Sequence, residues 1–501
     1  RKMFLAYALL AVAALRLQPP ALRLQQAASV AAWVELSRGS CLAAAPAPAG
    51  SCGLGLVTTR PLRKGAPIVT VPDALGLSAD SCLRSSLGPL LAQFEPELGD
   101  YAFVALMLLV ERARGDESAL APWLEADGLL PPDGAPNLPL SWGAAELDEL
   151  ERATTAGVAE RRAAVARDFA WLCENLFEPE GPLAFPPFVY TERAYAVAVG
   201  LAISRCVAVG ERALLLPVLE LANHDGRAPT AYVAADAAGG GGMGGGVGAA
   251  AAALFGGDAG AGGACVSLLA ATDLPVGTPV TLRYGGTAGE LLLDHGFVLE
   301  PVPPRVSFEF ELDENDAFFD EKCDVLEGGG LAARARWALD EGDTLPDELL
   351  AFLRLKLLRG EDAFLLEPVL SQSLWPEHLP LPVSRDNERA TLAELAAAAA
   401  RGLSQLGGSV QDDLRTLASA GGEDDATARR ARSFAAVRYA ERRALQWVAR
   451  SVETRAASLG GLTYYQERRL AAFGLSPIES EAELDTLKAA GRAYSKPEFE
   501  W

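Results

Sequence analysis

The chain has 501 residues, half of them hydrophobic and under a quarter charged. That is enough apolar side chain for two or three packed domains, and it excludes an intrinsically disordered chain. A formal net charge of −22 argues against non-specific nucleic-acid binding, which needs Lys and Arg to displace phosphate counterions.

At the N-terminus, Arg1-Lys2 precedes an apolar run from Phe4 to Leu15. The run is too short to span a bilayer and matches the apolar core of a signal peptide. Arg16 and Arg23 follow, and no acidic residue occurs before Glu35. Residues 1–32 therefore read either as a targeting segment of the two-part plastid type or as a hydrophobic helix packed on the body. The first reading implies a plastid protein; otherwise the cytoplasm is expected. No other run is long enough to cross a bilayer, so no stable membrane association is expected.

Residues 33–80 carry short β-branched runs between Gly and Pro, notably 53–60 and 65–72, which read as strands and turns. Residues 95–205 are mostly helical. Tyr101–Arg114 is apolar around most of its circumference, the mark of a buried helix, and Tyr190 to Arg205 forms another. Residues 238–264 are almost entirely Gly and Ala and read as a flexible surface loop. From about residue 305 long amphipathic helices are expected. Ala426–Ser458 is the clearest, and Ser384 is a candidate N-cap for another. The seven cysteines, Cys41, Cys52, Cys82, Cys173, Cys206, Cys265 and Cys323, form no C-x-x-C pair. Free thiols are therefore expected and a metal site is not.

Two segments concentrate the information. The first is Leu215-Leu216-Pro217-Val218-Leu219-Glu220-Leu221-Ala222-Asn223-His224. The second is Val280-Thr281-Leu282-Arg283-Tyr284-Gly285 followed by Glu290-Leu291-Leu292-Leu293-Asp294-His295-Gly296-Phe297-Val298. Neither reads as a nucleophile with its base. Together they resemble the two signature segments of a SET-domain methyltransferase of the Rubisco large-subunit methyltransferase-like type. Trp123-Leu124 and Leu140-Ser141-Trp142 resemble the helical insertion that splits the SET domain in that family. Asp412-Asp413-Leu414 and Val437 to Leu445 resemble its C-terminal domain.

The resemblance implies an α+β fold: a β-rich, pseudo-knotted SET domain over residues 33–300, with its helical insertion at about 95–205, followed by an all-α substrate-binding domain over 305–495. It implies S-adenosylmethionine as cofactor, lysine of a non-histone protein as acceptor, and a monomer. Rubisco large subunit or another plastid protein becomes a candidate substrate. A histidine acceptor, or a protein-binding module with a weakened cofactor site, are the alternatives.

By the same resemblance Tyr284 is the catalytic tyrosine, orienting methyl and amine. Asn223, His224, Glu220 and the backbone of Cys52, Gly53 and Leu54 hold the cofactor. Arg205 pairs with its carboxylate, a task suited to the guanidinium fork. Tyr232 is a candidate wall of the lysine channel, and His295 borders the acceptor. The chain departs from the family's pattern at Glu220, where Asp is usual, at Ala288, where Asn is frequent, and at His295, where Tyr is frequent. The chemistry needs a neutral amine aligned with a sulfonium methyl, so a dry slot serves it better than a strong base.

Overall fold

The computed structural model describes residues 20–93, 98–126, 129–131, 137–177, 185–186, 189–210, 212–235, 264–366, 381–419 and 426–472, with 474, 485–486 and 489. The apolar run 4–15 and all but the last residue of the Gly/Ala tract at 238–264 lie outside these residues. The chain divides into two compact units. One comprises residues 1–151 and 156–300, the other 152–155 and 301–501. Each has its own hydrophobic core.

The first unit begins with helix α1 (Pro20–Leu36). Ala27, Val30, Ala31 and Val34 are buried in the core, and their i, i+3, i+4, i+7 spacing puts them on one face. Part of the stretch 1–32 thus forms a helix with buried side chains. The stretch has an apolar face as well as the charge pattern from which it was read. Val34→Asp is expected to destabilise this unit by roughly 3 kcal/mol or more, because the carboxylate has no buried partner there. A chemical-denaturation midpoint close to that of the unaltered protein would show that α1 is not integral to the core.

Strands β1 (Ala44–Pro48), β2 (Leu54–Thr58) and β3 (Pro67–Pro72) follow, where β-branched and apolar residues alternate with turns. Helix α2 (Asp100–Arg114) is buried along nearly its whole length, Ala102 to Leu109. Short helix α3 (Ala121–Leu124), α4 (Ala144–Glu151) and α5 (Val158–Asn175) complete the helical region. Helix α6 (Glu192–Arg205) packs along α2. It starts where Thr191 caps the Ala194 N–H and ends at Arg205.

Hairpin β4 (Val207–Val209) and β5 (Arg212–Leu214) leads to β6 (Asn223–His224), β7 (Ala231–Ala235), β8 (Cys265–Ala270) and β9 (Pro279–Leu282). One sheet has the order β1-β2-β9-β6 and another β3-β8-β7. The chain thus leaves β6, builds two strands of a different sheet, and returns to insert β9 between β2 and β6. The β6–β9 pair is parallel, with Asn223 opposite Thr281 and His224 opposite Leu282. Helix α7 (Ala288–His295) follows, held by a reciprocal Thr287–Glu290 capping box and closed by left-handed Gly296. A Cβ on Gly296 would lie 1.5 Å from the Asn137 carbonyl oxygen, so only glycine fits.

The second unit, expected to be all-α, is among the described residues helical apart from one antiparallel strand pair, β10 (Arg305–Glu311) with β11 (Arg334–Asp340). Val306, Phe308 and Phe310 point inward at the two-residue period of a strand. That period sits inside a region otherwise rich in helical pattern. Helices α8 (Phe319–Gly328), α9 (Asp347–Lys356), α10 (Arg385–Gln405), α11 (Val410–Ala418), α12 (Ala426–Ala457) and α13 (Tyr465–Ala472) make up the rest. Ser384 caps α10 through the Asn387 N–H.

Buried polar pairs lock these helices. Arg354 donates to both oxygens of Glu388 at 2.7 and 3.0 Å, and Arg455 donates to the same carboxylate at 3.0 Å. Glu441 on α12 accepts from the Thr154 hydroxyl and from the Thr155 N–H and hydroxyl. Residues 152–155, lying between α4 and α5 in sequence, are thereby tied to the second unit.

Candidate active site

The first unit brings together the start of β2, the β6 segment, the turn after β9 and the ends of α6 and α7. Asn223 donates through Nδ2 to the Leu54 carbonyl at 2.9 Å. Gly55 makes this approach feasible, since a Cβ there would stand 2.7 Å from Asn223 Nδ2. One residue on, His224 Nδ1 accepts the Tyr284 backbone N–H at 3.0 Å, and the Tyr284 hydroxyl donates to the Ala222 carbonyl at 2.8 Å. The two signature segments are therefore joined by backbone pairing and by two further hydrogen bonds.

Around Tyr284 four rings form a closed cycle. His224 lies 5.1 Å from Tyr284, Tyr284 4.5 Å from His295, His295 5.9 Å from Phe297, and Phe297 6.0 Å from His224. The Asn137 side-chain amide donates to the His295 carbonyl at 3.3 Å.

Burial decides the charge of these groups. It pushes the Tyr284 phenol up to about 12, with Arg205 opposing. Burial lowers His295 to about 4, despite the bond to the Ser204 carbonyl that favours its protonated form. Burial also lowers His224, against the nearby Asp225. At neutral pH the ring cluster is therefore uncharged, and none of its members is a strong base.

Arg205 is the charge that these groups share. Its guanidinium acts on Tyr284, His295 and Glu220, and it forms no ion pair among the described residues. Glu220 sits in the turn Leu219–Leu221 and is buried. Its Oε1 accepts the Trp123 indole N–H at 2.9 Å. Burial lifts its carboxyl to about 7, against the pull of Arg205 and the Trp123 bond.

Cys52 is exposed and close enough to Tyr284 to act on its phenol. Gly53 and Leu54 flank it at the start of β2. Tyr232 stands apart from the ring cycle: it lies on β7, is 42 % exposed, and makes no ring contact among the described residues. Sequence reasoning assigned no role to Phe297 or Trp123. Phe297 was legible beside Gly296 in the second segment. Trp123 has no local signal, because its partner lies 97 residues away.

Comparison with known proteins agrees with this geometry. Residues 313–445 match the family described as Rubisco LSMT substrate-binding. The chain is 30% identical over 440 residues to the chloroplastic [fructose-bisphosphate aldolase]-lysine N-methyltransferase of Arabidopsis thaliana, covering 84% of this chain and 82% of that protein. It is 30% identical over 436 residues to the chloroplastic ribulose-1,5-bisphosphate carboxylase/oxygenase large subunit N-methyltransferase of Pisum sativum, covering 84% and 81%. Among solved structures, Rubisco LSMT bound to AdoMet superposes with a TM-score of 0.63 at 25% identity, covering 95% of this chain and all of that one. The SET domain of LSMT bound to lysine and AdoHcy gives 0.64 at 26%, covering 93% and 99%. A shared fold, near-complete coverage and two relatives at this identity establish that the chain belongs to the Rubisco large-subunit methyltransferase-like family of SET-domain methyltransferases.

Proposed function

We propose that this protein transfers a methyl group from S-adenosylmethionine to a lysine nitrogen of a non-histone protein in the plastid. The observation that carries the reading is the neutral ring cluster around Tyr284, hydrogen-bonded to the Ala222–His224 segment, with the Arg205 cation acting on it.

S-adenosylmethionine supplies an electrophilic sulfonium methyl. Its carboxylate is the natural partner for Arg205, whose fork donates to two oxygens. The Cys52–Leu54 backbone and the Asn223-His224 pair form the rest of the proposed cradle. A lysine amine is normally protonated, with a pKa of about 10.4. The uncharged rings of Tyr284 and His295 penalise that charge by desolvation, and a neighbouring cation acts in the same direction. The Tyr284 hydroxyl spends its proton on the Ala222 carbonyl and keeps its oxygen as an acceptor for the amine N–H. It orients the nucleophile and does not deprotonate it. The ring neighbours, His295 above all, set how much room the acceptor has.

The protein substrate is recognised by the second unit, in keeping with its family. The chloroplastic relatives support Rubisco large subunit or plastid aldolase as first candidates. The purified protein, incubated with tritiated S-adenosylmethionine and plastid extract, is expected to label protein that yields methyllysine on hydrolysis. Label in methylhistidine, or none in protein, would overturn the lysine assignment.

Gly55→Ala is expected to weaken S-adenosylmethionine binding about tenfold, the equivalent of one lost hydrogen bond near ~1.4 kcal/mol. The added methyl would displace the Asn223 amide from Leu54. Calorimetric titration tests it, and an unchanged Kd would remove Asn223 from the cradle.

A further inference from the structure

Helix α7 has eight residues and carries His295 as its last. So short a helix does not hold its own geometry in water, and neighbours must fix it. The capping box secures its first turn, and Leu291, Leu292 and Leu293 are buried. The last turn is held from another part of the chain. A helix end leaves carbonyls without helical partners, and that of His295 accepts the Asn137 side-chain amide at 3.3 Å. The Asn137 backbone carbonyl lies against Gly296. Asp294 pairs with Arg161, in the first turn of α5, at 3.1 Å. The segment that carries Asn137 is itself wedged against α6, since a Cβ on Gly200 would stand 2.9 Å from the Leu138 side chain. Asn137 and Arg161 both belong to the helical insertion, and neither lies in a signature segment.

We infer that the helical insertion positions the acceptor side of the site: Asn137 and the Arg161–Asp294 pair hold the last turn of α7 and so fix the His295 ring against Tyr284. The inference deepens the methyl-transfer reading and rests on it. Asp294 and His295 are consecutive, so their side chains leave the helix about 100° apart. The ion pair therefore resists rotation of the turn on one side, while on another the His295 ring stays 4.5 Å from Tyr284 at a tilt of 30°. A shift of about 1 Å at a reacting centre can cost up to about 10²-fold in rate. Asn137, Arg161 and Asp294 lie outside the proposed cofactor cradle, so a loosened turn should spoil acceptor alignment and spare cofactor binding. They are positioning residues, acting through His295.

The test is a charge swap. Methyl transfer from tritiated S-adenosylmethionine to plastid-extract protein is measured over a range of extract concentrations. The proteins are the unaltered one, Arg161→Asp, Asp294→Arg, the double variant with both changes, and Asn137→Ala. Calorimetry gives the Kd of S-adenosylmethionine for each. A partly exposed ion pair adds little to stability, so the variants are expected to fold. Each single reversal sets like charges 3.1 Å apart and should lower the maximal rate about tenfold. The half-saturating extract concentration and the Kd should stay within about threefold. The double variant restores the attraction and should recover most of the rate, because the two residues act as one unit. Asn137→Ala should lose rate in the same direction.

Maximal rates unchanged by either reversal, or a double variant no faster than the single ones, would overturn the inference. So would a loss confined to the half-saturating concentration, since Arg161 would then meet the protein substrate directly. Should a reversal fail to fold, Arg161→Gln decides, because it removes the pair without adding repulsion. A lowered maximal rate with unchanged half-saturation supports the inference, and an unchanged rate refutes it. An unaltered protein that labels no protein refutes the methyl-transfer reading itself, and the inference falls with it.

Discussion

Tyr284→Phe is expected to lower methyl transfer roughly 10²–10³-fold, the usual loss when one preorganised polar group is removed from a reacting centre. Affinity for S-adenosylmethionine should change by no more than about threefold. The phenyl ring keeps its place against His295 at 4.5 Å and His224 at 5.1 Å, and the backbone bond from residue 284 to His224 survives. Only the hydroxyl is lost, and with it the oxygen proposed to orient the amine. The Ala222 carbonyl loses its 2.8 Å partner, so stability should fall by about 1–2 kcal/mol. Single-turnover rates and calorimetric titration on folded protein separate the two effects. Unchanged turnover would reduce Tyr284 to a packing residue. Because burial holds the phenol up to about 12, it remains protonated at physiological pH. A rate that climbs with pH in that range would report deprotonation of the acceptor amine.

Glu388→Ala is expected to destabilise the second unit by about 3–5 kcal/mol. Arg354 is fully buried, and its guanidinium pairs with Glu388 through two hydrogen bonds. Removing the carboxylate takes the anion and two hydrogen bonds from that buried guanidinium, and also takes a partner from Arg455. Replacing both residues with apolar ones, Arg354→Met with Glu388→Leu, should cost much less, because no uncompensated charge remains. Burial opposes ionisation of Glu388, but the Arg354 and Arg455 bonds overcome it and hold its carboxyl below the ordinary glutamate value.

A depressed folded-state value means that the pair stabilises the protein above the unfolded pKa of about 4.3. That stabilisation is lost as pH falls through the folded value. The gap between the unaltered protein and Glu388→Ala should therefore be full at pH 7 and close in acid. Urea midpoints measured across that range check both claims. A gap that is small at pH 7, or that grows in acid, contradicts them.

The elements that could be read in advance carry their signals locally. Helix α12 was expected over Ala426–Ser458 and spans Ala426–Ala457. Helix α2 was expected from an all-round apolar pattern, and α10 from the Ser384 cap. Caps and periodicities act over three to seven residues, so the chain announces them. Strand pair β10–β11 was hidden by its surroundings. Its alternating Val306, Phe308 and Phe310 lie in a short window, and its partner strand is more than twenty residues away.

Of the candidate site, Tyr284, Asn223, His224, Arg205 and His295 were named from motif resemblance alone, and the fold brings them to one locus. Tyr232 was named as well, but it lies on a different sheet, outside the ring cycle. Helix α1 lies partly in the stretch that was read either as a targeting segment or as a helix packed on the body, and its Val30 and Val34 are core residues.

The order of residues therefore determined the helices, their caps, the two signature segments and the uncommon Glu220 and His295, because these depend on neighbours along the chain. The tertiary structure alone decided that β9 inserts between β2 and β6, that Trp123 pins a carboxylate 97 positions away, and that Asn223 meets a carbonyl 169 positions away. It also holds Tyr284, His224 and His295 uncharged at neutral pH. Desolvation depends on what surrounds a group in space, and no sequence spacing encodes that.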